Sequence, residues 1–160
     1  MPVRWVVVLA AALVSCSGDE GAACGPSAGT VAHVVDGDTI VLASGERIRY
    51  LLVDTPESVN GARDCFGHEA AQLNRQLVEG RAVTLRYDGA QCRDRYARLL
   101  AYVDVDGREV NRLLVERGYA CVLYIPPAGA GRHAELEALE TVARQERLGM
   151  WAACQVVTCE

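Results

Sequence analysis

Asp36, Asp38, Asp54 and Glu57 stand at the two ends of one stretch, DGDTIVLASGERIRYLLVDTPE (36–57), with Arg49 between them. Carboxylates at both ends of a hydrophobic hairpin carry a desolvation cost that only a cation or a fixed guanidinium offsets. Asp38 and Asp54 are short, hard oxygen donors at strand ends, a ligand type suited to Ca²⁺. Glu57, just past Pro56, is placed to take a proton from a nearby water or to orient it, and the sequence leaves both roles open. Arg49 shares strand parity with Leu51 and Val53, an odd place for a charge without an anionic partner. Arg98, in the run RDRYARLL, has Arg93 and Arg95 beside it as a local basic patch. The chemistry these groups suit is metal-assisted phosphodiester hydrolysis, which must neutralise an anion, activate a water and stabilise charge in the transition state. The plainer alternative makes the two aspartates turn caps, Glu57 a solvated loop residue and the arginines members of ordinary ion pairs.

The elements that must position these groups are short. Thr30 to Val35 and Thr39 to Leu42 are β-branched runs separated by Asp36-Gly37, a hairpin signal. A third strand is expected from Glu46 to Val53, with Ile48, Tyr50 and Leu52 on one face and Pro56 ending it. Gly67 to Val78 reads as a helix with Ala70, Leu73 and Leu77 on its apolar stripe and Gly80 as its stop. Ala82 to Tyr87 and Leu99 to Val105 are further strands, and 110–117 and 134–147 are helices. Mostly short, antiparallel-type strands with one inserted helix define an α+β class, a small closed barrel of the OB type.

Composition bounds the rest. A chain of 160 residues, half of them hydrophobic, makes one domain with its own core. A formal net charge of −5 excludes tight nucleic-acid binding through bulk positive charge, so any anion site must be local. Residues 1–16 read as a targeting segment: Arg4, an apolar run too short to span a membrane, then Leu13-Val14-Ser15-Cys16, a bacterial lipobox with Cys16 as the lipidated residue. An ordinary secretory signal is the alternative. Residues 17–28 form a small, polar tether, 29–154 the domain and 155–160 a tail. The expected address is the cell envelope, with membrane contact through the lipid alone, and Ser17 favours the outer membrane if the host has one. Cys24, Cys65, Cys92, Cys121, Cys154 and Cys159 make an even set, read as three disulfides in an exported domain rather than as zinc ligands.

VVDGDTIVL, RIRYLLVDTPE, FGHEAA, RDRYARLLAYV, VNRLLVERGYA and RLGMW, in that order, resemble the thermonuclease (staphylococcal nuclease-like) family from about Gly29 to Trp151. The resemblance implies a five-stranded OB-fold barrel with three helices, acting as a monomer. It implies Ca²⁺ held by the side chains of Asp38 and Asp54 and the carbonyl of Thr55. Glu57 would be the general base or water-orienting group, and Arg49 and Arg98 would clamp the scissile phosphate, for which the planar fork of Arg is suited. Tyr96 and Tyr124 would line the nucleotide pocket, where stacking is sequence-tolerant, with Arg95 assisting. The implied substrates are DNA and RNA, cut with little sequence preference to leave 5′-hydroxyl and 3′-phosphate ends.

Two departures stand out. Ala97 occupies a position where the family carries Gly, and a left-handed backbone there would strain it. The cysteines are an addition, and a Cys65–Cys92 bridge is expected to stiffen the wall of the site. The same fold also serves as a catalytically silent nucleic-acid or protein-docking module once its acids and arginines are lost, but Asp38, Arg49, Asp54, Glu57 and Arg98 are all present here. A structural envelope lipoprotein with an incidental Ca²⁺ site is the third reading, and it entails cation-dependent stability without turnover.

Overall fold

The apolar, β-branched runs form the walls of a barrel. The computed structural model describes residues 24–58 and 64–158; the lipobox with Cys16, residues 17–23 of the tether and Cys159 lie outside them. Strand β1 (Ala28–Val34) turns at Asp36-Gly37 into β2 (Thr39–Leu42), which pairs antiparallel with β3 (Arg47–Tyr50). β5 (Ala82–Arg86) pairs antiparallel with β1 and with β6 (Leu99–Val105). Closure comes from β3 running parallel to β6, with Ile48 opposite Leu99 and Tyr50 opposite Ala101. Five strands thus leave no free edge between them, and Ile40, Leu42, Ile48, Leu99 and Val103 fill the interior with almost no exposure.

The third strand is shorter than its sequence pattern predicts. It stops at Tyr50, Leu52 takes a left-handed φ of 63°, and Leu51, Leu52 and Val53 are all buried. The chain leaves β6 here to form a two-residue strand, β4 (Val53–Asp54), paired with β8 (Cys121–Val122). Buried Asn111 closes the gap: its amide donates to the carbonyls of Leu51 and Ala101, and its oxygen accepts the Val103 N–H. Buried backbone groups need such partners.

Helix α1 (Gly67–Val78) packs through Ala70, Ala71, Asn74 and Val78, with Leu73 and Leu77 only partly covered, so its buried stripe is rotated from the predicted one. Gly80, at φ 73°, follows it as expected. β7 (Arg108–Glu109) leads into α2 (Val110–Glu116), which packs on α3 (His133–Gln145). A single further turn, α4 (Met150–Ala153), follows. Among the described residues no helix is long and apolar enough to cross a membrane.

Two polar side chains tie α1 to the β1–β2 turn. The Tyr50 hydroxyl donates to Asn74, and the Asn74 amide donates to the Asp36 carbonyl. Burial raises the Tyr50 hydroxyl's pKa, keeping it a donor.

Candidate active site

The β2–β3 register places Thr39 opposite Arg49, which carries the guanidinium to the end of the hairpin where Asp38 lies. Arg49 Nη1 donates to Asp38 Oδ1 at 2.8 Å and Nη2 to Asp54 Oδ1 at 2.8 Å, with Val53 O also accepting from Nη2 at 3.3 Å. Among the described residues nothing accepts from Nε–H or from the second Nη1–H of the fork. The aspartates are buried, Asp38 at 3% exposure and Asp54 at 8%. Asp38 also accepts from the Thr39 hydroxyl (2.9 Å) and the Thr55 amide (3.2 Å). Gly37 permits this closeness, because a Cβ there would lie 2.5 Å from Thr55 Oγ1.

Two carboxylates and one guanidinium leave this buried trio net negative. Burial pushes the Asp38 carboxyl up to about 6 even though Arg49 pulls it down. Arg49 sits above its ordinary value: burial works against its charge, but Asp38 and Asp54 outweigh that. The oxygen donors a cation would find here are hard ones: the two carboxylates and the Thr55 carbonyl. Among the described residues no set of three or more acidic, His or Cys side chains forms a metal cluster, so an ion here would complete its shell with backbone and water oxygens, as Ca²⁺ and Mg²⁺ do. The residues fit such an ion.

Because the folded state holds the Asp38 proton more tightly than the unfolded chain, stability of the metal-free protein through this group rises as pH falls through about 6, and levels off near the unfolded carboxylate value. Asp38→Asn is therefore expected to stabilise the metal-free protein at pH 7 by about 1–3 kcal/mol and to flatten this pH response. Urea unfolding in chelator at pH 5 and 7 checks this; a destabilised variant at pH 7 contradicts it.

Arg98 reaches the same cluster from the other side. Its Nη1 lies 3.4 Å from Thr39 Oγ1, so one chain of contacts runs Arg98, Thr39, Asp38, Arg49, Asp54. Asp94 fixes this arginine: Oδ2 accepts Nε at 2.7 Å, and Oδ1 accepts the backbone N–H groups of Arg98 and Tyr96. Thr39 and Asp94 were not singled out from the sequence, although the Asp-to-Arg spacing of four residues and the hydroxyl following Asp38 are both visible there. The intervening Ala97 has φ 63°, the left-handed conformation that favours Gly. Ala97→Gly should raise stability by about 0.5–1 kcal/mol, read as a rise in melting temperature; a fall would show that the side chain has a packing role.

The remaining candidates spread outward. Tyr96 is 64% exposed, with the Arg95 and Arg98 guanidiniums 4.8 and 5.3 Å from its ring centre. Tyr124 is not in the contact chain; it lies just past β8, partly buried, and stacks on His133 with ring centroids 4.3 Å apart. Glu57 is exposed, and its backbone N–H donates to Asp64 Oδ2 while its carbonyl accepts from Asp64 N–H. The expected Cys65–Cys92 bridge does not form. Cys24 pairs with Cys92 and Cys65 with Cys154, because Cys92 sits at the foot of the Arg98 loop beside the segment entering β1, whereas Cys65 meets the end of α4. Cys121 is also disulfide-bonded.

A closed five-strand barrel with helices on its flank, and two acids and two arginines linked at one rim, defines a small α+β class. The chain belongs to the staphylococcal nuclease family: the profile described as "Staphylococcal nuclease homologue" matches residues 47–153. It is 37% identical over 134 residues to Endonuclease YncB of Bacillus subtilis (strain 168), covering 81% of this chain and 64% of that protein. The SPbeta prophage-derived endonuclease YokF of the same strain is also 37% identical, over 81% of this chain and 45% of its own length. Thermonuclease of Staphylococcus intermedius is 32% identical over 76% of this chain and 74% of its own. The chain thus spans about half to two thirds of the two Bacillus proteins' length.

Proposed function

We propose that this protein is a Ca²⁺-dependent nuclease that hydrolyses phosphodiester bonds of DNA and RNA with little sequence preference. The observation that carries this reading is the contact chain from Arg98 through Thr39 and Asp38 to Arg49 and Asp54, in a chain that belongs to a nuclease-named family. Asp38, Asp54 and the Thr55 carbonyl would hold the ion, which when bound supplies positive charge to the phosphate and acidifies water.

The protein's own groups do the rest. Among the described residues, two N–H groups of Arg49 and the Nη2 end of Arg98 have no acceptor and so can serve a phosphoryl oxygen, since Asp94 takes the Arg98 Nε. Donors fixed before substrate arrives stabilise charge as it develops, without reorganisation. Glu57 accepts a proton from the attacking water or orients it, its backbone held by Pro56 and Asp64. Tyr96 and Tyr124 would grip bases by stacking, with Arg95 assisting. The expected ends are 5′-hydroxyl and 3′-phosphate, and the expected address is the envelope through lipid on Cys16, a setting that suits the disulfides.

The test incubates the oxidised protein with supercoiled plasmid and with single-stranded RNA, in Ca²⁺ and in chelator, alongside melting curves. Cleavage that requires Ca²⁺ supports the reading. A Ca²⁺-raised melting temperature with no cleavage would make this a binding or structural protein, and cleavage in chelator would remove the metal from the account.

A further inference from the structure

We propose that the disulfides Cys24–Cys92 and Cys65–Cys154 are positioning devices for the loops that carry Arg98 and Glu57, so that turnover, rather than the barrel, depends on oxidised cysteines. This rests on the nuclease reading above. Neither bridge joins two strands of the barrel, whose closure is made by backbone ladders around a buried apolar interior. Both sit at the margin, where the site is assembled.

Cys92 stands at the foot of the Arg98 loop: its carbonyl accepts the Leu100 N–H at 2.9 Å, and inside the loop Asp94 N–H donates to Arg98 O at 3.0 Å. Its partner Cys24 leads a segment seated on β5, where the Tyr87 hydroxyl donates to Pro26 O and Leu85 N–H to Ser27 O, each at 2.8 Å. The bridge therefore fixes the loop through which Asp94 aims Arg98. Cys65 directly follows Asp64, the residue hydrogen-bonded twice to the Glu57 backbone. Its partner Cys154 caps α4, which is docked by Met150 N–H donating to Gly118 O at 2.8 Å. Here the bridge fixes the segment that ends on Glu57. The metal-ligand residues differ in kind: Asp38, Asp54 and Thr55 are buried and held by the hairpin itself.

All four cysteines of these two bridges reach solvent, Cys65 most openly, so a thiol has access to them. Two electrons and two protons from a dithiol convert each bridge to two Cys–SH groups, the reductant leaving as its own disulfide. The same chain would then be inactive on nucleic acid in a reducing compartment and active in an oxidising one, with its cation site formed in both.

The experiment compares wild type, C24S/C92S and C65S/C154S, measuring kcat and KM on DNA, circular dichroism, and the Ca²⁺-induced rise in melting temperature. Each variant is expected to keep its fold and its Ca²⁺ response while kcat falls by about 10–100-fold, the scale of a small misplacement of a reacting group. Folded variants with unchanged kcat would overturn the inference. If a variant fails to fold, wild type is titrated with dithiothreitol while activity, near-ultraviolet dichroism and the alkylation of each cysteine are followed in one sample, so that opening of the two bridges is separated from opening of the one at Cys121. Activity lost first supports the inference; simultaneous loss overturns it. Oxidised wild type that cleaves nothing overturns the nuclease reading, and this inference with it.

Discussion

Glu57→Gln is expected to lower kcat on DNA by about 10²–10⁴-fold, the usual contribution of a positioned general acid or base. The substitution preserves size and can still hydrogen-bond, but it cannot accept a proton from water at neutral pH. Glu57 is exposed and its backbone is tied to Asp64, so the loop should keep its shape and melting temperature should change little. Ca²⁺ should still raise that temperature, because the proposed ligands Asp38, Asp54 and Thr55 lie on the hairpin and on the segment paired with β8. A variant with wild-type kcat would remove Glu57 from the chemistry. One that also loses its Ca²⁺ response would move Glu57 from the water to the ion.

Arg49→Met should have the largest effect on stability. Met fills much of the same apolar volume but leaves Asp38 and Asp54 without the guanidinium that now bridges them. Removing one partner from a buried ion pair costs about 3–5 kcal/mol, since the charge left behind is uncompensated. That loss should appear in chelator and shrink when Ca²⁺ is added, because the ion would take over part of the neutralisation. Activity should be lost under both conditions, since Ca²⁺ would not replace the donor that Arg49 is proposed to aim at the phosphate. Urea unfolding with and without Ca²⁺ is the measurement. A loss of stability equal in both conditions would show that the two carboxylates and the ion do not share a site.

The raised Asp38 carboxyl marks a buried acid whose charge costs the empty site stability. Sites arranged to hold a ligand commonly sacrifice stability of the empty form.

Much of this arrangement could be read from the chain. Thr39–Leu42 and Leu99–Val105 are strands where alternation and turn residues place them, and the glycines after α1 and α2 stop those helices. Asp38, Asp54 and Arg49 were legible because charge inside an apolar hairpin needs a partner, and these three are found together, whereas Glu57 stands exposed beside Asp64. What was not legible has physical causes. Leu52 turns left-handed with no Gly or Asn to announce it, because the conformation is imposed by β3 leaving β6 to let β4 meet β8. Asn111 repairs that departure from a position distant in sequence, so no local pattern reveals its role. The cysteine pairing depends on which loops meet in space; Cys65 and Cys92 both lie near the site, yet each turns to a terminal segment instead. Asp94 and Thr39 act through Arg98 and Asp38, and local spacing alone does not distinguish them from ordinary polar residues of a turn.

The most direct test of the central claim, that one hairpin holds both the cation and the phosphate, is calorimetric. Ca²⁺ and then a short single-stranded DNA would be titrated into the Glu57→Gln protein, which should bind without cleaving, and into the same protein also carrying Asp38→Asn. The predicted result is one Ca²⁺ bound per chain, DNA binding that tightens once Ca²⁺ is present, and loss of both in the second protein with its fold intact. Ca²⁺ and DNA binding that are independent of one another, or unaffected by Asp38→Asn, would contradict it.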